Sequence, residues 1–233
     1  MRQFSNRYIF MFATIMVAIV ALILSSAALL LQPKQERNAE IEKKRNILAS
    51  VGVVATEDDA EQLYDKFITT SFAINTSAEE LDGVDAFAIE VKKEQRKELE
   101  EQQLPVFVAS LDDGSKSYII PLEGKGLWGA IFGYISLKED MNTINGVTFD
   151  HLAETPGLGA EINEGWFEDQ FIDKLLFDGG EFVSILVQKG GADDDDPHGV
   201  DAITGGTITS KALEDMLRDC LVNYVEYLKL NSN

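Results

Sequence analysis

From Tyr8 to Leu31 the chain runs for 24 residues without a charged side chain, and only Thr14, Ser25 and Ser26 are markedly polar. As a helix such a run rises about 36 Å, enough to cross the hydrocarbon core of a bilayer with some tilt. A secretory leader has an apolar region of roughly 7–15 residues ahead of its cleavage site. This run is longer, and Ser26-Ala27-Ala28 is a weak cleavage site. No cysteine follows it, which excludes a lipoprotein anchor. An uncleaved single-pass anchor over 8–31 is therefore expected. Arg2 and Arg7 flank one side without acids, whereas Lys34 and Arg37 flank the other beside Glu36 and Glu40. Acidic residues count little in setting topology, so 1–7 is expected on the cytoplasmic side and the polar remainder outside.

Charge limits what that remainder can bind. The 233 residues hold 40 Asp and Glu against 20 Lys and Arg, a formal net charge of −20. No basic face exists to neutralise phosphates, so nucleic acid is excluded as a partner. An anionic membrane surface would repel the same domain. One cysteine, Cys220, excludes an internal disulfide and any multi-cysteine metal or iron–sulfur centre. With only His151 and His198 available, little remains for a zinc site either.

Pro33 marks the exit from the apolar run, and 34–50 reads as a charged helical stalk. A second helix is expected to start with Thr56 as its N-cap and to carry Leu63, Tyr64, Phe67 and Ile68 at helical spacing. The run "KKEQRKELEEQQ" over 92–103 reads as a solvated helix or linker. Beyond it the texture changes to short β-rich segments: Leu104–Ser110, Ser117–Pro121, Gly129–Leu137, Gly146–Phe149 and Phe182–Gln188. Asn163–Phe177 reads as helix, with Trp166, Phe167, Phe171, Leu175 and Leu176 as its apolar residues. A last helix over about Lys211–Leu230 places Leu213, Met216, Leu217, Cys220, Leu221, Tyr224 and Leu228 on one stripe. Strands without regular βαβ alternation point to an α+β class. The expected organisation is a short N-terminus (1–7), an anchor (8–31), a stalk with the first part of the soluble region (32–103), and a domain over 104–233 with a small sheet flanked by helices.

The stretch "HGVDAITGGTITSKALEDML", His198 to Leu217, gathers the residues best suited to chemistry. Gly205 and Gly206 let the backbone take positive φ and approach a bulky group closely. Thr207, Thr209 and Ser210 supply hydroxyls, and one of the last two can cap the helix that follows. A helix N-terminus behind a glycine turn offers free N–H groups to a phosphate. The spacing is not that of a P-loop, and no GxGxxG or G-x-S-x-G occurs. From the residues alone this segment is either a capped turn or a phosphate site. The run Asp193–Asp196 lacks the alternating ligands of a calcium loop and reads as a solvated loop.

Asp201-Ala202-Ile203-Thr204-Gly205-Gly206-Thr207 resembles the flavinylation motif of the FMN-binding domain family, an aspartate followed by Ser/Thr-Gly-Ala-Thr. Gly206 stands where that pattern usually has alanine. Two further stretches resemble the same family: His151-Leu152-Ala153-Glu154-Thr155-Pro156-Gly157-Leu158-Gly159, and Gly124-Lys125-Gly126-Leu127-Trp128-Gly129 with the following Ala130-Ile131-Phe132-Gly133-Tyr134. The tryptophan-bearing segment is most similar to the C-subunit branch, from sodium-translocating NADH:quinone reductases. The G subunits of Rnf-type electron transport complexes share the other two motifs.

The resemblance implies FMN joined through its phosphate to the hydroxyl of Thr207 by a dedicated flavin transferase. It implies a cofactor site of Thr204, Gly205, Gly206, Thr209, Ser210 and Lys211 around that threonine. From the other two motifs it adds Leu127, Trp128, Glu154, Thr155, Gly157, Leu158 and Gly159. It further implies an electron-transfer subunit of a sodium-translocating NADH:quinone reductase in the bacterial inner membrane, with its soluble domain on the periplasmic side and other subunits as partners. The rivals are a G-type subunit of an Rnf complex and a membrane-tethered scaffold without flavin.

Overall fold

The computed structural model describes residues 5–193 and 195–232, so residues 1–4 of the expected cytoplasmic N-terminus, and Asp194 of the acidic run, lie outside the described residues. The chain divides into two compact units, Met1–Lys43 and Lys44–Asn233.

The first unit consists of most of helix α1 (Asn6–Ala49), which among the described residues is the one helix long and apolar enough to cross a membrane. Pro33 lies inside this helix and does not end it. A proline in a helix interior removes one backbone bond. Here strong helix formers surround it (Gln32, Lys34, Gln35, Glu36), and Gln32 Nε2 donates to Glu36 Oε1 at 2.8 Å across it.

In the second unit, α2 (Ala60–Phe67) begins three residues later than expected. Thr56 is not its cap. Instead Asp59 Oδ1 accepts from the Thr56 amide at 2.6 Å and from its hydroxyl at 2.8 Å, which closes a turn ahead of the helix. Nor does α2 continue through Ile68. The β-branched run Ile68-Thr69-Thr70 switches at once into strand β1 (Ile68–Ile74).

Strand β1 opens a five-stranded antiparallel meander with β2 (Leu104–Ser110), β3 (Lys116–Lys125), β4 (Ala130–Leu137) and β5 (Ile144–His151), in that order. The sheet therefore draws on residues ahead of position 104, and a single helical turn α3 (Val91–Glu94) lies between β1 and β2. Both faces are covered, and side chains alternate between them with the two-residue period of a strand. Leu104, Val106, Ile120, Leu122, Ile131 and Ile135 join the main core beneath the C-terminal helices. Phe107, Ala109, Ile119 and Tyr134 join a second core with Ile47 and Val51. Burial on both sides is why these strands read as continuous apolar runs.

Asn163–Phe177 is not the long helix expected of it, and the segment 159–177 is broken into short turns. It forms a 3-10 turn (Gly159–Asn163), a single helical turn α4 (Gly165–Glu168) and a second 3-10 turn (Asp169–Phe171), before joining β6 (Phe177–Asp178). Phe167 and Phe171 are pulled under β5, with ring centroids 5.5 Å apart and Phe171 5.2 Å from Phe149. Close aromatic packing of this kind outweighs a local preference for helix. Strand β7 (Glu181–Phe182) pairs with β6, and β8 (Leu186–Gln188) pairs in parallel with β9 (Gly199–Asp201). The strand expected over Phe182–Gln188 breaks at Ser184, whose φ is +61°. Helix α5 (Thr207–Leu221) starts four residues ahead of Lys211 and passes through a 3-10 turn (Val222–Tyr224) into α6 (Val225–Asn231). The class is α+β, as the sequence indicates.

Candidate functional site

The loop after β9 reverses at Gly205, whose φ of +79° is costly for any residue with a Cβ. Gly206 occupies the N-cap position of α5, and no side chain caps the helix. The sequence suggests Thr209 or Ser210 as the cap; both lie instead within the first turn and are buried. The Ser210 hydroxyl accepts from the Ile203 amide at 3.1 Å, holding the loop against the helix. Thr209 donates its hydroxyl to Glu154 Oε2 at 2.6 Å. Thr204 and Thr207 are exposed. At the start of a helix the first amides have no intrahelical acceptor, and the dipole leaves them positive. The first turn of α5 carries no acid to neutralise that end.

Glu154 brings the three sequence motifs together. It is 4 % exposed, and its Oε1 accepts from the Trp128 amide at 2.9 Å while Oε2 holds Thr209. Its own amide donates to His151 Nδ1 at 3.3 Å. Burial, the largest single influence, pushes its carboxyl upward. The Thr209 hydroxyl, the Trp128 and Gly129 amides and nearby His151 together outweigh it, and hold the group below its ordinary value. Thr155 carries the turn that follows, its carbonyl accepting from the Leu158 and Ala160 amides, both at 3.1 Å. Leu158 lies beneath the glycine turn: a Cβ on Gly205 would come within 2.6 Å of Leu158 Cδ2.

The departure at Gly206 has a local cause. A Cβ there would meet Ile203 Cγ2 at 2.9 Å and the Leu158 carbonyl carbon at 3.3 Å. In this chain Ile203 fills the space that an alanine methyl would need.

Leu127, Trp128 and Leu158 present apolar surface around this point, Trp128 with 68 % of its surface exposed. Gly157 is exposed in the same loop, with φ +73°. Lys211 does not turn its charge to the loop. It is engaged along the helix with Glu214 and with Asp215 at 3.3 Å, and its pKa is raised chiefly by Glu214. Ile208, outside the three motifs, is 60 % exposed beside Thr207. Its position shows in the sequence pattern: Ile208 lies off the apolar stripe of α5 formed by Leu213, Met216, Leu217 and Cys220.

The sheet, the glycine turn and the loops joined at Glu154 define an FMN-binding domain, and residues 126–222 match the family of that description. The C subunit of the Na(+)-translocating NADH-quinone reductase of Haemophilus ducreyi is 31 % identical over 215 residues, covering 86 % of this chain and 83 % of that protein. The crystal structure of its counterpart from Parabacteroides distasonis is similar with a TM-score of 0.79 at 43 % identity, over 85 % of this chain and 96 % of that one. Shewanella oneidensis NqrC is similar with a TM-score of 0.70 at 25 % identity, over 84 % and 98 %. The chain belongs to the family of Na(+)-translocating NADH-quinone reductase C subunits.

Proposed function

We propose that this chain is the electron-transfer subunit of a sodium-translocating NADH:quinone reductase, and that it carries FMN esterified through its phosphate to Thr207. One observation carries the attachment: the division among the hydroxyls of the motif. Thr209 and Ser210 are buried and spend their hydroxyls on Glu154 and on the Ile203 amide. Thr207 is exposed at the first position of α5, where the free amides and helix dipole suit a phosphate. Thr204 is also exposed but precedes the glycine turn. The donor set thus fits a phosphodiester joining Thr207 to the flavin, and the bond fixes the anion in an acidic domain where charge alone would not.

FMN so attached supplies one- and two-electron transfer, and the protein tunes it by hydrogen bonds, burial and charge. The residues of this chain have separate tasks there. Gly205 and Gly206 turn the backbone closely over Leu158 and Ile203 into the start of α5, Leu127, Trp128 and Leu158 exclude water from the ring, and Glu154 fixes the loops. NADH oxidation and the ion path fall to partner subunits, and a flavin transferase completes the site. Helix α1 anchors the chain in the bacterial inner membrane, with the domain on the periplasmic side.

The test is flavin fluorescence of the protein band after denaturing electrophoresis of membranes from a host shown to contain the transferase. Wild type is expected to fluoresce, Thr204→Ala to fluoresce equally, and Thr207→Ala to be dark. A dark wild-type band returns the chain to a tethered scaffold. A fluorescent Thr207→Ala band moves the attachment elsewhere.

A further inference from the structure

Glu154 does more in this fold than hydrogen-bond two neighbours. Its two oxygens reach two different elements, the 126–129 turn through the Trp128 amide and the first turn of α5 through Thr209. Glycines accommodate it on both sides: a Cβ on Gly126 would lie 2.5 Å from Oε1, and one on Gly159 would lie 2.6 Å from Oε2. A glutamine could make both bonds without burying a charge, its carbonyl accepting from Trp128 and its amide donating to the Thr209 oxygen. Burying a carboxylate is expensive unless it is well paired. The charge therefore supplies something that the clamp itself does not need.

We propose that Glu154 is the positioning residue of this site, a fixed buried negative charge that locks the three loops and lowers the midpoint potential of a flavin borne on Thr207. This rests on the attachment argued above. The physics is direct: an electron added to the ring beside a fixed anion raises the energy of the reduced form, in surroundings that screen less than water. The bonds from Thr209, Trp128 and Gly129 keep the carboxyl ionised.

The experiment compares full-length wild type, Glu154→Gln and Glu154→Asp, each matured with the transferase. Covalent flavin per protein, melting temperature and midpoint potential are read for each. Glu154→Gln is expected to keep its flavin and to shift the reduction equilibrium toward the reduced form on the order of tenfold, about 59 mV for a one-electron couple. Glu154→Asp keeps the charge and is expected to hold the wild-type potential while melting earlier. An unchanged potential in Glu154→Gln overturns the proposal, as does an equal rise in Glu154→Asp. Should Glu154→Gln not fold, Glu154→Met, of similar length and without charge, takes its place beside Glu154→Asp: a raised potential in Glu154→Met supports the proposal and a wild-type potential overturns it. Wild type without covalent flavin would instead refute the attachment at Thr207, before any variant is compared.

Discussion

Two threonines two positions apart have opposite tasks, and substitution separates them. Thr207 is exposed and caps nothing, so Thr207→Ala is expected to change stability by no more than about 0.5 kcal/mol while abolishing covalent flavin. Thr209→Ala removes a donor from a buried carboxylate and is expected to cost about 1–3 kcal/mol in urea unfolding. The two outcomes together distinguish a flavin site from a capped turn. Glu154 adds a pH signature. Its folded-state pKa lies below the ordinary value, so its contribution is present above the unfolded pKa and is lost as pH falls through the folded one. The stability gap between wild type and Glu154→Gln is expected to narrow as pH falls from about 6 to 3. The same scale explains the glycine where alanine is usual. Gly206→Ala forces Ile203 to move and is expected to cost about 1–3 kcal/mol, with Ile203→Leu in the same chain, which lacks the β-branch methyl that meets the new Cβ, restoring part of it.

At the scale of elements, sequence patterns reported some parts faithfully and failed on others for identifiable reasons. Strand β2 (Leu104–Ser110) was legible to the residue, because its apolar run is bounded by a charged stretch and an Asp-Asp-Gly turn. Strand β1 was not: Phe67 and Ile68 continue the helical spacing of Leu63 and Tyr64, and only pairing with β2 turns the chain there. The 163–177 segment misled because its aromatics fit a helical period, yet the core holds Phe167 and Phe171 through two short turns. The three site motifs were legible as a resemblance, whereas their meeting at one carboxylate was not, since Trp128, Glu154 and Thr209 are far apart in sequence. Helix α4 also carries a group that no pattern marked. Burial drives the Glu168 carboxyl up to about 7, although the Phe149 amide donates to it at 2.7 Å. An acid whose folded pKa is raised holds its proton more tightly when folded, so wild-type stability is expected to fall as pH rises from about 4.5 to 7. Glu168→Gln keeps the amide's acceptor, and its melting temperature is expected to be flatter across that window and higher than wild type at pH 8.

At the scale of the whole molecule, helix α1 belongs to both units. Its apolar part lies in the first, and its last residues in the second, where Ile47 and Leu48 have no exposed surface. Ser136 Oγ donates to the Ser50 carbonyl at 2.5 Å, fastening the chain just past the helix to strand β4. The point at which the anchor is cut therefore decides whether the domain survives. A fragment starting at Lys44 keeps every residue of the second unit and is expected to fold, stay in solution without detergent and accept flavin from the transferase. A fragment starting at Gly52 loses Ile47 and Val51 from the second core and also the fully buried Leu48. Each large aliphatic taken from a core costs about 2–5 kcal/mol. The losses of Ile47 and Leu48 alone match much of the 5–15 kcal/mol that holds a typical domain together. The shorter fragment is thus expected to unfold at far lower urea concentration, or not to fold at all, with circular dichroism as the readout. Equal midpoints for the two fragments would mean that the second core contributes nothing, and that the end of α1 serves the anchor alone.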